Sequence, residues 1–386
     1  MNLPLHVAIG RRLVGSNQPV YVIAEAGVNH DGDIESAHQL IEAAAQSGAD
    51  AVKFQLFSAD RLVAADAPTC AYQSDHVPDA GSQHDLLRKL ELPAGCLAEL
   101  KSHADQLEID FLATPFGLPE VHTLAKLGVP AIKIASPDIV NVPLLRTAAD
   151  TGLPLIVSTG ASELSEVEFA VKLLRERQEP GRLILMHCVS AYPTPVGAAR
   201  LRCIQTLAER FDVPVGFSDH TTSAVVSALA VSAGSVLLEK HLTLDRRRRG
   251  PDHFFSLEPD DFAQYVQAAR EAGAAQGDGR IVCDPAQAEV RRLSRGSVVA
   301  AVDLPAGRPI REDQLVVRRP GGGIDPRLWD RIIGKKPATD IRAGTPLDWE
   351  MLSMRENPTP PSLQVPSNDA TNRRSTVDRS RRRTPI

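Results

Sequence analysis

The chain has 386 residues, 43% of them hydrophobic, enough for one large domain and a smaller one. A formal net charge of −5 gives no global reason to bind nucleic acid. Five scattered cysteines without CxxC spacing argue against a disulfide framework or a structural zinc, and for reduced thiols in a cytoplasmic protein.

The N-terminal MNLPLHVAIGRR lacks a basic stretch followed by a long apolar one, so no signal peptide is expected. Eight short apolar runs then follow, at residues 20–25, 51–55, 111–114, 131–136, 155–159, 183–188, 213–220 and 236–241. Between them lie segments with helical spacing, at 36–47, 96–106, 118–127, 142–151, 165–177, 201–210 and 223–233, several closed by a glycine such as Gly48, Gly128, Gly152 or Gly234. Strict alternation of strand and helix implies parallel strands with crossovers. Eight strands in this span fit a (β/α)8 TIM barrel. A doubly wound open sheet is the runner-up, but no GxGxxG follows any strand. The longest uncharged stretch, 221–238, reads as helix, turn and strand rather than as a membrane span.

Residues 261–273 look like the last barrel helix, so the barrel is expected to span 1–276, with a linker at 277–292. A small β-rich unit is expected at 293–352, from short strand-like pieces at 297–302, 314–317 and 345–347. From 353 to 386 Pro, Ser, Thr, Asn and Arg dominate, which predicts a disordered, solvated tail. Its six arginines after Pro358 face only Asp369 and Asp378.

Nearly every barrel run ends in a residue that can do chemistry, where TIM-barrel enzymes build their sites. His220 and His241, in FSDH and LEKH, end what would be adjacent strands about 4.8 Å apart, so both imidazoles can reach one ion, with Glu239 and Asp219 beside them. Such an ion would keep positions open for a substrate carbonyl. Lys53 and Lys133 stand inside apolar strands, where a charge needs a partner. Together with the hydroxyls of Thr114, Ser136, Ser158 and Ser218 they suit a dense anion; the plain alternative is a lysine tip reaching solvent at the barrel mouth. Glu25 is the leading proton-handling carboxylate, or a partner for Lys53. The loop DRRRRGPDHFF offers four arginines and, behind its turn, Asp252 and His253.

These segments resemble the sialic acid synthases, which make N-acetylneuraminate or related nonulosonates. The carrying motifs, in order, are AEAGVNHDGD, AVKFQ, ATPF, IKIAS, VSTG, HCVSAYPTP, GFSDH, LEKH, GPDHFFSLEP and VRRPGGG, spread from about Val7 to Trp349. The resemblance implies a barrel followed by a SAF (antifreeze-like) domain that caps the partner's site in a domain-swapped homodimer. It implies condensation of phosphoenolpyruvate with N-acetylmannosamine, or with a 6-deoxy diacetamido precursor of legionaminic or pseudaminic acid, and release of phosphate. His220 and His241 match ligands of Mn2+ or Mg2+. Lys53, Thr114, Lys133, Ser136, Ser158 and Ser218 match phosphoenolpyruvate-holding positions. Glu25 matches the acid/base, and Asp138 and Glu239 match acidic positions at the reacting centre. Tyr192 and Asp252 match sugar contacts, and Arg319 matches the arginine offered to the partner's sugar. Pro137, Asp138 and Ser190 depart from the usual pattern near the sugar. Two other classes remain open on the residues: a Schiff-base aldolase using Lys133, and a non-enzymatic carbohydrate- or ice-binding protein.

Overall fold

The computed structural model describes residues 6–79, 81–93 and 95–353. The expected tail lies outside the described residues except for Ser353. The chain divides into two compact units at Arg280/Ile281.

In the first unit, eight parallel strands close a barrel in the order β10-β3-β4-β5-β6-β7-β8-β9. They are β3 (Tyr21–Gly27), β4 (Ala51–Leu56), β5 (Asp110–Pro115), β6 (Ile132–Ile134), β7 (Leu155–Ser158), β8 (Leu183–Cys188), β9 (Val215–Asp219) and β10 (Leu237–His241). Each matches one of the eight apolar runs, and the open-sheet alternative falls away. Strands covered by helices outside and by packed side chains inside read as continuous apolar runs, which is why they were visible. The outward positions of the strands pack against the helices in one large core, with Val22, Val52, Phe111 and Val157 among its members.

An N-terminal hairpin, β1 (His6–Ile9) paired with β2 (Arg12–Gly15), closes the bottom of the barrel. Its Val7, Ile9 and Val14 join Tyr21, Ile23, Leu112, Ile156, Met186 and Leu237 in a second core that fills the lumen. Asp50 ties this end together: its Oδ2 accepts the Val22 N–H at 2.8 Å, and it pairs with Arg12 and Arg270. With the lower lumen filled, only the C-terminal mouth is left for ligands.

Between β4 and β5 the chain makes three short helices, Ala59–Leu62, Ala71–His76 and Gln83–Lys89. Phe57, Leu86 and Leu90 pack there with Val28 of the loop after β3. The last barrel helix runs Pro259–Gln276.

In the second unit β11 (Ser297–Ala300) pairs antiparallel with β12 (Leu315–Arg318). The expected third piece lies alongside: Ala300 N–H donates to Thr345 O at 3.0 Å and Leu347 N–H to Val298 O at 2.8 Å. Val298, Leu304, Ile310, Ile324, Ile332 and Leu347 form its core. The stretch read as a linker carries an exposed helix, Ala288–Ser294.

Candidate active site

Alternate residues of a barrel strand face the lumen. Tyr21 and Ile23 on β3 lie in the luminal core, so Glu25 points inward above them. The same parity turns Lys53, Thr114, Lys133, Ser158, Cys188, Ser218, Glu239 and His241 inward, above Ala51, Leu112, Ala131, Ile156, Met186 and Leu237. Register then sets neighbours. Glu25 stands opposite Lys53 on one side and His241 on the other, and Glu239 opposite Ser218.

The result is a buried charge cluster across four strands. Lys53 Nζ lies 2.6 Å from Glu25 Oε2 and 3.5 Å from Glu239 Oε2, and donates to Thr114 Oγ1 at 2.9 Å. Lys133 Nζ lies 3.6 Å from Glu239 Oε1, which also accepts the Ser218 hydroxyl at 2.9 Å. Neither lysine reaches solvent, so each is held by carboxylates and the alternative of a snorkelling tip is excluded. Burial pushes the Glu25 carboxyl up, against the pull of Lys53. Burial also opposes charge on Glu239, but Lys133, Lys53 and the Ser218 hydroxyl outweigh it and hold that carboxyl at about 2. Burial lowers Lys133, with Glu239 opposing. One carboxyl is thus poised to exchange a proton while its neighbour stays ionised, an arrangement that separates acid–base from electrostatic roles.

His220 and His241 meet at the rim with ring centroids 5.6 Å apart. His220 Nδ1 is engaged by Val189 O at 2.9 Å, which leaves Nε2 for another partner. A carbonyl on one ring nitrogen is the usual support for a metal-binding imidazole. His241 Nδ1 is buried without a hydrogen bond and lies 3.7 Å from Asp252 Oδ2. Burial, reinforced by His220, holds His241 far below its ordinary value. Among the described residues no three His, Cys, Asp or Glu side chains form a set able to hold a metal. Two imidazoles without a third such side chain would suit an ion that keeps water or substrate on its other positions better than a closed structural site.

The loops complete the mouth. The Tyr192 ring packs 4.4 Å from His220 and 5.2 Å from Phe255. Asn29 Nδ2 donates to Leu242 O and to Ser256 Oγ, both at 2.9 Å, and stitches the first loop to the last. Gly27 sits at a bulge with φ 55°, and a Cβ there would stand 3.4 Å from Glu25 Oε1, Gln55 Nε2 and Asp252 Oδ2. These three polar groups therefore converge on one point. Burial, with the charge of Glu25 next, raises Asp252 to about 7. Ser136 Oγ accepts the Gly160 N–H at 2.9 Å and lies 3.7 Å from Cys188 Sγ. The Ser158 hydroxyl is buried without a hydrogen-bond partner among the described residues, free to meet a ligand.

Other expected residues lie elsewhere. Asp138, in the turn Ser136–Val140, accepts from Asn141 Nδ2 at 2.8 Å instead of joining the Lys53 cluster. Arg319 is exposed in the second unit, just after β12. His187 has outward parity and bonds Ala199 O at 2.8 Å. Asp219 does not join Glu239 beside the imidazoles, because it too faces outward, with Lys240. His253 is turned to Thr243 and Asp31. The four arginines are engaged locally: Arg246 with Phe254 O, Arg247 with Asp245, Arg248 with Asp31 and Arg249 with Asp79. Gln55 and Cys188 were not singled out in the sequence. The parity that places Lys53 inward also places Gln55, which donates to Glu25 Oε1 at 3.3 Å.

Residues 40–281 match the NeuB family and residues 295–353 match the SAF domain. The chain is 40% identical over 341 residues to the N,N'-diacetyllegionaminic acid synthase of Legionella pneumophila subsp. pneumophila, covering 88% of this chain and 96% of that protein. It is 38% identical over 315 residues to the N,N'-diacetyllegionaminic acid synthase of Campylobacter jejuni subsp. jejuni, covering 81% and 94%. Among solved structures, the N-acetylneuraminic acid (sialic acid) synthetase of Leptospira borgpetersenii serovar Hardjo-bovis, in complex with citrate, superposes with a TM-score of 0.66 at 34% identity, covering 74% of this chain and 95% of that one. No helix among the described residues is long and apolar enough to cross a membrane. The chain therefore belongs to the NeuB family and is an enzyme of that family, carrying a SAF domain at residues 295–353.

Proposed function

We propose that the chain is a phosphoenolpyruvate-dependent nonulosonate synthase, joining phosphoenolpyruvate to the aldehyde of an N-acylated amino-sugar to give a nine-carbon keto acid and phosphate. The observation that carries this reading is the convergence of two buried ammoniums and two buried imidazoles on one barrel mouth. Phosphoenolpyruvate brings a phosphate and a carboxylate, which Lys53 and Lys133 offset while the hydroxyls of Thr114, Ser136, Ser158 and Ser218 line the same mouth. C3 of the enol attacks the aldehyde carbon, and water adds at C2. The C2–O bond to phosphate then breaks and phosphate leaves. The attacking water releases two protons, one as it adds and one as the C2 hydroxyl becomes the keto group. Glu25, with its carboxyl raised by burial, relays them, one to the former aldehyde oxygen and one to the departing phosphate. Glu239 stays ionised and holds both lysines in place. His220 and His241 would hold Mn2+ or Mg2+, which when bound supplies Lewis-acid polarisation of the aldehyde. Asp138 would act from the turn Ser136–Val140 after β6, with Tyr192 and Asp252 as sugar contacts. Arg319 would serve the partner's site in a domain-swapped homodimer, placed in the cytoplasm where phosphoenolpyruvate is made.

The acceptor we favour is the 6-deoxy diacetamido sugar that leads to legionaminic acid, because the two relatives at 40% and 38% identity carry that name. N-acetylmannosamine is the second reading, supported by the sialic acid synthetase structure at 34%. Phosphate release from phosphoenolpyruvate, measured with each sugar, decides. The expected result is fastest turnover with the legionaminic precursor, abolished by EDTA and restored by Mn2+. Fastest turnover with N-acetylmannosamine would transfer the assignment to the second reading. Borohydride trapping of pyruvate on Lys133 would replace the synthase with an aldolase.

A further inference from the structure

Asp219 and Lys240 alternate with the site residues, in Ser218-Asp219-His220 and Glu239-Lys240-His241, and point the opposite way. Both side chains are fully buried, with Lys240 Nζ 3.3 Å from Asp219 Oδ2. The ammonium also donates to Thr221 O and lies 5.6 Å from the Tyr265 ring centroid on the helix Pro259–Gln276. Asp219 Oδ1 accepts the Thr221 N–H at 2.8 Å. The two residues are direct register partners across β9 and β10.

A buried ion pair is a poor source of stability, since apolar side chains of similar volume do as well or better. What it supplies is alignment. Only one register brings this ammonium to this carboxylate, whereas an apolar pair tolerates sliding. A slip of one residue would turn Ser218, Glu239 and the two imidazoles out of the lumen.

We propose that the Asp219–Lys240 pair is a positioning device that fixes the register of β9 against β10 and so aims His220 and His241 at one point of the mouth. It touches no substrate and acts through the residues on either side of it. Its effect on metal use rests on the proposed roles of those two imidazoles.

The test is the double variant Asp219→Leu/Lys240→Met of the full chain, in which no charge is left unpaired. The expected result is a Tm close to the parent's, with kcat at least about tenfold lower and Mn2+ bound at least about tenfold more weakly by calorimetry. Hydrogen exchange is expected to be faster in 215–219 and 237–241 than elsewhere in the barrel. Parent-like kcat, Mn2+ affinity and exchange would overturn the proposal. Asp219→Asn, which keeps the shape and removes the charge, is the second arm, and the same parent-like values there would also overturn it. Loss of the fold in both variants would make the pair a stability element and refute a positioning role. A parent chain that neither binds Mn2+ nor turns over counts against the proposed function. The exchange measurement then decides the register claim by itself, and unchanged protection overturns it.

Discussion

Replacing Lys53 with methionine removes the ammonium that lies 2.6 Å from Glu25 and 3.5 Å from Glu239. Two buried carboxylates then face each other, with Lys133, at 3.6 Å from Glu239, to offset them. Removing one partner of a buried pair costs about 3–5 kcal/mol, because the remaining charge stays uncompensated. For a unit of this size that corresponds to a fall in Tm of roughly 6–20 °C. Urea unfolding at pH 7 measures the loss, and a double-mutant cycle assigns it. Lys53→Met/Glu25→Gln is expected to recover at least about 1 kcal/mol over the single variant, because it removes the stranded carboxylate. A Lys53→Met protein within about 0.5 kcal/mol of the parent, or additivity in the cycle, would refute the account of the cluster.

His220→Ala and His241→Ala are each expected to abolish metal-dependent phosphate release while circular dichroism reports an intact barrel; a near-normal rate in either would remove it from the ligand pair. Burial holds the His30 ring down to about 4, with Gly32 N–H donating to its Nδ1 at 3.0 Å. The unfolded chain takes up that proton near pH 6.5, so stability falls as pH drops below about 6.5 and levels off below about 4. Between pH 7 and 5 His30 therefore contributes a loss of about 2 kcal/mol that His30→Asn is expected to lack, and equal urea midpoints shifts in the two proteins would refute this. Arg319→Ala is expected to raise the sugar KM or lower kcat without changing the barrel Tm, whereas unchanged kinetics would refute the capping role.

The barrel was legible because each of its strands is apolar outside and, below the mouth, inside as well, so β3 to β10 stand out as runs. The hairpin His6–Gly15 was not, since Arg12 and Leu13 are exposed and its burial depends on the barrel it closes. The three short helices between β4 and β5 were missed for the same reason: they depend on packing around Phe57, Leu86 and Leu90 more than on their own periodicity. Within the site, strand ends announced reactive residues but not their direction. Period-2 parity separates Lys53, Glu239 and His241 from His187, Asp219 and Lys240, and it identifies Gln55 as well. Asp138 sits in a turn, where that rule gives no direction, and its bond to Asn141 is a tertiary fact.

Crystals grown with Mn2+ and phosphoenolpyruvate, and measured at the manganese edge, test the central claim directly. The account predicts an anomalous peak within ligand distance of both His220 and His241, with the phosphate and carboxylate of phosphoenolpyruvate between Lys53 and Lys133. A manganese ion bound away from both imidazoles, or phosphoenolpyruvate held without either lysine, would contradict it.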